Sequence, residues 1–135
     1  MGVAPLIVVL DTHAWVWWAD GSHELSKRAR ERIQAATKER ALCVSAISCW
    51  EIGMLVRRGR LELSVPAADW IARCETLPFF SVVPIDARIA LSATELPPHH
   101  EDPADRLIVA TARGLGATLV TKDERLRAYD VPTVW

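Results

Sequence analysis

The chain has 135 residues, half of them apolar, which is enough to bury the core of one domain. Its formal net charge of −1 excludes a protein that coats polyanions through general positive charge, but not an enzyme with local basic residues. Three cysteines without metal-ligand spacing predict reduced thiols in a cytoplasmic protein. The start of the chain lacks a basic region and is too short to span a membrane, so no signal or membrane anchor is expected.

Short apolar segments have the bounds of buried strands, at residues 6–10, 41–45, 81–85 and 117–121, with 131–135 as a candidate fifth. Continuous apolar runs are typical of parallel strands covered on both faces. A helix begins near Thr12, and further helical patterns lie at 25–36, 46–57, 66–74, 86–94 and 103–113, before a turn at 122–128. This alternation predicts an α/β fold: one three-layer α/β/α sandwich with a central parallel sheet over residues 1–135.

Four acidic side chains are predicted to meet at one edge of this sheet. Each follows a strand, opens a helix or lies on an apolar helix face: Asp11, Glu51, Asp105 and Asp123. In open α/β sheets, ligands bind beyond the carboxyl ends of the strands. Oxygen ligands without Cys or His at a suitable spacing favour Mg²⁺ or Mn²⁺ over Zn²⁺. A metal held by carboxylates can activate water and stabilise the leaving oxygen in phosphodiester hydrolysis.

Three of these acids also have a purely structural interpretation. Asp11 can cap the helix that follows it, and Asp105 and Asp123 can be first-turn acids that favour the helix dipole. Asp102, which precedes Pro103, is predicted to cap the helix of Asp105 and to support the site rather than bind metal directly. The recurrence of acids at strand ends and helix starts favours the metal site.

Glu51 is harder to explain by structure alone. The helical pattern places it on one stripe with the apolar Ile47, Met54 and Leu55, which predicts that it points with the core-facing side chains. The alternative is a slightly rotated helix that leaves Glu51 at the core boundary, paired with a nearby arginine.

Several basic residues are predicted to contact substrate phosphates: Arg57, Arg58, Arg106 and Lys122. The structural alternatives are a solvated helix end for the first two, a salt bridge to Asp102 for Arg106 and a surface charge for Lys122. The histidines His13, His99 and His100 have no partner at a fixed spacing, so loop or surface roles are expected for them. No Ser-His-Asp order or Gly-rich phosphate loop is present.

Four segments of the chain resemble the signature blocks of PIN domains, in the same order and spacing: residues 9–13, 45–52, 102–112 and 119–123. The chain is most similar to VapC toxins, the ribonuclease half of toxin–antitoxin pairs. The resemblance implies a PIN-like α/β/α sandwich and a Mg²⁺- or Mn²⁺-dependent endoribonuclease that hydrolyses RNA. It further implies a homodimer and inhibition by a VapB-like antitoxin.

The resemblance also assigns roles to residues. It implies that Asp11, Glu51 and Asp105 are the core metal ligands and that Asp123 is a more variable fourth. Supporting hydroxyl groups are implied at Thr12, Ser45 and Thr121.

Two other functions are consistent with parts of the pattern. A phosphotransfer module, either a receiver domain or an aspartate-nucleophile phosphatase, also places an Asp at a strand end and binds Mg²⁺. However, the phosphatase needs a second Asp two residues after the first, where this chain has His13, and the receiver needs an upstream acidic pair that Asp11 lacks. A non-catalytic PIN domain that binds RNA is the other alternative, although it has no reason to retain four mutually repelling acids.

Overall fold

The computed structural model describes residues 6–135. Residues 1–5, part of the start for which no signal is expected, lie outside this range. The strands are β1 (Val8–Leu10), β2 (Leu42–Ser45), β3 (Phe80–Val83), β4 (Thr118–Val120) and β5 (Thr133–Val134). The helices are α1 (Thr12–Asp20), α2 (Lys27–Lys38), α3 (Ala46–Arg57), α4 (Ala67–Glu75), α5 (Ala87–Thr94) and α6 (Pro103–Leu115), followed by a 3₁₀ helix (Glu124–Ala128). Within residues 6–135, no helix is long and apolar enough to cross a membrane.

The strands form one parallel sheet in the order β3-β2-β1-β4-β5. The chain adds β2 and β3 on one side of β1 and then crosses to add β4 and β5 on the other. The direction of winding therefore reverses between β1 and β4, which is where such sheets open a crevice at their carboxyl ends. The amide of Asp11 donates to the carbonyl of Val120 at 3.1 Å, so the ends of these two strands lie side by side.

Apolar side chains of the central strand cover both faces of the sheet. Val8 and Leu10 pack in a core with Trp15 of α1, whereas Val9 packs in a second core with Ile108 of α6. Successive strand residues point to opposite faces, so a fully apolar strand requires helices on both sides. Helices α1, α2 and α4 cover the first face and α5 and α6 the second, which confirms the predicted three-layer sandwich.

The predicted elements are confirmed with small changes at their ends. The fifth strand is real but contains only two residues, and the first is shorter than its apolar run. Ser26 caps α2, since its hydroxyl accepts from the Ala29 amide at 3.1 Å. Asp102 caps α6 by accepting from the Ala104 amide at 2.9 Å, with Pro103 as the first helical residue, as predicted.

The predicted core face of α3 is wrong, although the helix has the predicted bounds. Its buried residues are Ser48 and Ile52, whereas Ile47 and Leu55 are only half-buried. The helix is rotated because the fully buried Ile52 packs into the core beneath α1, and Ser48 lies one turn before it on the same stripe. Glu51 is therefore a half-buried boundary residue.

Candidate functional site

The predicted acids come together at the carboxyl edge of the sheet. Asp11 follows β1 and Asp123 follows β4, whereas Glu51 lies in the second turn of α3 and Asp105 in the first turn of α6. Burial is the main cause that raises the pKa values of Asp11, Glu51 and Asp105, and the charges of neighbouring acids raise them further, so these groups lie within electrostatic reach of one another. The sheet topology thus joins carboxylates that are distant in the sequence.

Asp11 is both a helix cap and a member of this acidic group. Its Oδ1 accepts from the Ala14 amide at 2.8 Å. Burial raises the pKa of Asp11 above its ordinary value, although hydrogen bonds from Thr121 and the Ala14 amide oppose the rise. The buried Thr121 hydroxyl also accepts from the Asp123 amide at 3.1 Å, so it links two of the acidic segments.

Glu51 interacts with the start of α1 rather than with an arginine. The Thr12 hydroxyl donates to Glu51 Oε1 and lies 2.9 Å from the hydroxyl of the fully buried Ser48. Burial raises the pKa of Glu51, the Thr12 hydrogen bond lowers it, and the nearby Asp102 raises it further. Thr12 therefore has the contact expected of a supporting hydroxyl, and Ser48 is a member of this network that the sequence did not single out. The third hydroxyl, that of Ser45, caps α3 by accepting from the Ile47 amide at 3.2 Å.

Asp105 has the most strongly perturbed carboxyl group of the site. Burial, followed by the charge of Asp102, raises the pKa of Asp105 to about 7. Its side chain stays within reach of solvent, with 23% of its surface exposed. Near neutral pH the carboxyl is thus divided between its two protonation states, and a bound cation would favour the ionised one.

Asp123 differs from the other three acids because it has a cationic partner. It caps the 3₁₀ helix by accepting from the Arg125 amide at 2.9 Å, and the Arg125 guanidinium lies 3.3 Å from Oδ2. Burial alone would raise the pKa of Asp123, but the hydrogen bonds and charge of Arg125 outweigh it and lower the pKa. Asp123 therefore contributes a permanent negative charge to the site.

His100 is the main functional residue that the sequence analysis missed. His100 lies in the loop before α6, as expected, but it is not at the surface: only 7% of its side chain is exposed, and its Nε2 lies 3.0 Å from Asp105 Oδ2 and 3.3 Å from Asp123 Oδ2. In contrast, His13 and His99 are exposed, as expected. The available signal was local: His100 precedes the cap residue Asp102 by two positions, and its Nδ1 accepts from that residue's amide at 3.1 Å.

Arg106 has a structural role instead of the predicted contact with phosphate. Its guanidinium donates to a set of backbone carbonyls at the end of α5 and in the loop that leads to α6: those of Ala93, Thr94, Leu96, Pro97 and His100. The predicted alternative, a salt bridge with Asp102, is likewise replaced by these contacts. Arg106 thus fixes the segment that carries His100.

Replacement of Arg106 by Lys should destabilise the protein by about 2 kcal/mol, because an ammonium group cannot follow the planar fork of the guanidinium and leaves several partly buried carbonyls unpaired. Chemical denaturation monitored by tryptophan fluorescence would measure the loss. Arg113→Lys at the far end of α6 provides the matched control, because Arg113 is exposed. Equal stability of the two variants would contradict the structural role of Arg106.

The other basic residues that were predicted to contact phosphate are exposed. Lys122 forms an exposed ion pair with Glu24 at 3.2 Å, and its Nζ lies 5.6 Å from the centre of the Trp17 ring. Arg57 and Arg58 are exposed at the end of α3, beside a groove that is also lined by Trp50. All three are accessible to a ligand, and none contacts an acid of the site through a described hydrogen bond.

The donor set fits a divalent metal ion. One carboxylate oxygen of Asp105 and one of Asp123 lie within 4.8 Å of each other, with His100 Nε2 beside both. The carboxyls of Asp11 and Glu51 adjoin this group and have raised pKa values, mainly because burial penalises their unbalanced charge. Hard divalent cations prefer such carboxylate oxygens and would remove this electrostatic cost.

The sequence matches known proteins along most of its length. Residues 8–132 match the family model described as "PIN domain". The chain is 39% identical over 132 residues to "Ribonuclease VapC22" of Mycobacterium tuberculosis, an alignment that covers 95% of this chain and 98% of that protein.

Solved structures share the same fold. The toxin–antitoxin complex VapBC2 from Rickettsia felis, bound to a promoter DNA fragment, contains a chain with a TM-score of 0.69 and 17% identity that covers 96% of this chain and 98% of its own. A chain of the VapBC complex from Salmonella typhimurium gives a TM-score of 0.64 and 18% identity, with coverage of 95% and 96%. A chain of FitAB bound to a DNA fragment has a TM-score of 0.67 and 22% identity. The match covers 95% of this chain and 94% of that one. The sequence match along the chain and the shared fold show that this chain belongs to the PIN-domain family, in its group of VapC ribonucleases.

Proposed function

We propose that the protein is a metal-dependent endoribonuclease of the cytoplasm, the toxin of a toxin–antitoxin pair, and that residues 1–135 form its single PIN domain. The observation that carries this proposal is the group of mutually close acids at the edge of the sheet: Asp11, Glu51, Asp105 and Asp123. Three of them have pKa values that are raised chiefly by burial. A scaffold gains nothing from such an arrangement, whereas a metal-dependent hydrolase requires it.

Mg²⁺ or Mn²⁺ is the proposed cofactor, held by Asp11, Glu51 and Asp105, with Asp123 as the fourth acid. When bound, such a cation supplies a Lewis acid that promotes water attack on phosphorus and balances charge on the departing 3′ oxygen. The chain's own part is to orient its carboxylates. Thr12 holds Glu51, and the Thr121 hydroxyl joins the segments of Asp11 and Asp123.

RNA contacts are proposed for Lys122, Arg57 and Arg58, which are exposed cations. Lys122 directly precedes Asp123, so a phosphate that approaches the site from this side meets a cation first. Trp17 lies beneath Lys122 and contacts the exposed His13, with ring centres 5.8 Å apart. Aromatic and cationic side chains of this kind accommodate single-stranded nucleic acid.

A VapB-like antitoxin is the proposed protein partner, and a homodimer is the proposed assembly. The support for the antitoxin is family membership, together with the fact that the similar VapC-type chains were solved within toxin–antitoxin complexes. An antitoxin of this kind would keep the site from cellular RNA until it is removed.

The purified protein, freed of any bound antitoxin, should cleave a pool of cellular RNA when Mg²⁺ or Mn²⁺ is present and stop when EDTA is added. The expected loss with EDTA exceeds about 100-fold, since the cation contributes several kcal/mol to stabilising the transition state. Sequencing of the fragment ends would measure the cleavage and identify the preferred target. Restoration by excess Mn²⁺ is the control for damage by the chelator.

The alternatives give different results in the same assay. A non-catalytic PIN domain would retain RNA in a binding assay and produce no fragments with either ion. A phosphotransfer module would take up phosphate from acetyl phosphate at Asp11. An aspartate-nucleophile phosphatase would also need a second Asp at position 13, where this chain has His13. Membership of the PIN-domain family also argues against a phosphotransfer module.

A further inference from the structure

His100 occupies a position that only a polar interaction explains. The ring is 7% exposed, yet its Nε2 faces the carboxylates of Asp105 and Asp123 at 3.0 and 3.3 Å. Neither contact has the alignment of an ordinary hydrogen bond to one oxygen, and no other described residue satisfies this atom. A buried polar nitrogen without a single partner is costly, so its place between two acids requires an account.

The opposite ring nitrogen identifies where the proton of the imidazole lies. Nδ1 accepts a hydrogen bond from the amide of Asp102 at 3.1 Å, so its lone pair points at that N–H group. A neutral imidazole has one N–H and one lone pair. The proton therefore lies on Nε2, between the two carboxylates, and this nitrogen has no free lone pair with which to bind a metal.

The segment around His100 is built to keep the ring in this position. The His100 amide donates to the hydroxyl of the buried Tyr129 at 3.0 Å, and its carbonyl accepts from Arg106 at 3.3 Å. Asp102, whose amide orients the ring, also caps α6, on which Asp105 is the third residue. The backbone of His100 is thus fixed to the same helix start that carries one of its carboxylate partners.

We infer that His100 is a positioning residue, whose Nε2–H group lies between Asp105 and Asp123 and, by electrostatic attraction, holds their carboxylates in the arrangement that binds the metal ion. The inference rests on the proposed metal-dependent function and extends it to a residue outside the acidic set. The positive edge of the ring reduces the repulsion between the two acids, and its rigid, buried attachment fixes the direction of their oxygens. Groups that orient metal-binding side chains in this manner typically affect metal affinity by about 10–100-fold.

Mn²⁺ binding to the purified full chain, followed by electron paramagnetic resonance, tests the inference without reference to RNA cleavage. His100→Leu should bind Mn²⁺ about 10–100-fold more weakly than the wild type, because Leu fills the space but donates nothing. His100→Gln should recover most of the affinity, since its amide can accept from the Asp102 amide and donate to the acids. His99→Gln is the matched control, because His99 is exposed and its ring packs edge-on with the ring of Tyr129.

A spectroscopic measurement on the wild type separates the donor role from metal ligation. Electron spin-echo modulation of bound Mn²⁺ should lack the strong nitrogen coupling of a directly coordinated imidazole. Strong coupling that disappears in His100→Gln would overturn the inference and make His100 a ligand. A thermal melt would show whether His100→Leu folds. If it does not, the Mn²⁺ affinity of the Gln variant and the wild-type spectrum still distinguish a positioning role of His100 from metal ligation.

The remaining outcomes are also distinct. Unchanged Mn²⁺ affinity in a folded His100→Leu variant would refute the positioning role while leaving the proposed nuclease intact. Failure of the wild type to bind Mn²⁺ or Mg²⁺ at all would instead refute the proposed function, and the inference with it.

Discussion

Asp11→Asn and Asp105→Asn should each reduce RNA cleavage at least about 100-fold at saturating Mg²⁺, the largest loss of activity expected for any single substitution in this chain. Each change keeps the shape of the side chain but removes a negative charge and a carboxylate oxygen from the site. The measurement is the initial rate of fragment formation from one RNA preparation, with protein concentrations matched. Both variants should keep the wild-type circular dichroism spectrum, because the caps and core contacts remain.

The matched control is Asp130→Asn, which removes an exposed acid from the loop before β5. Its cleavage rate should equal that of the wild type. Cleavage that persists unchanged in both Asp11→Asn and Asp105→Asn would show either a contaminating nuclease or a site elsewhere, and would refute the assignment of these acids.

Without metal, Asp105→Asn should be more stable than the wild type at pH 8, and the difference should be smaller at pH 5. Burial and the charge of Asp102 raise the pKa of Asp105 from 3.8 to about 7 in the folded protein. Between these values the folded state binds more protons than the unfolded state, so the free energy of unfolding of the wild type falls as pH rises through this window. Asn resembles the neutral carboxyl and avoids this loss.

The expected difference at pH 8 is on the order of 2 kcal/mol, or several degrees in Tm for a domain of this size. Thermal melts in EDTA at the two pH values would measure it, with Asp130→Asn again as the control for a general change in charge. Added Mg²⁺ should reverse the order, since the wild type gains stability from binding that the variant lacks. A lower Tm for Asp105→Asn at pH 8 in EDTA would contradict the proposed electrostatic cost.

The sequence contains enough information to predict the fold and the four acids. Continuous apolar strands such as β1 require cover on both faces, and acids that follow such strands have few structural explanations. The order of strands in a parallel sheet then places these acids at one edge. The rotation of α3 was not predictable in the same way, because Ile47 and Ile52 are equally apolar and only packing beneath α1 decides which is buried.

The residues that neutralise or orient the acids were harder to predict. His100 and Arg106 act through loop geometry: the ring accepts from an amide two residues later, and the guanidinium reaches back to carbonyls of the preceding segment. Arg125 pairs with Asp123 across one turn of 3₁₀ helix, which the sequence indicated only as a turn. Periodicity carries no information about such contacts, since they depend on how a loop returns to its own helix.

The position of β4 beside β1 has a consequence for the newly made protein. Asp11 emerges early from the ribosome, but its neighbour Asp123 and the strand that places it there are synthesised near the opposite end of the chain. Until that strand has been added beside β1, the sheet lacks one side of its catalytic edge. The growing chain therefore cannot assemble all four acids into one site until most of it has been translated.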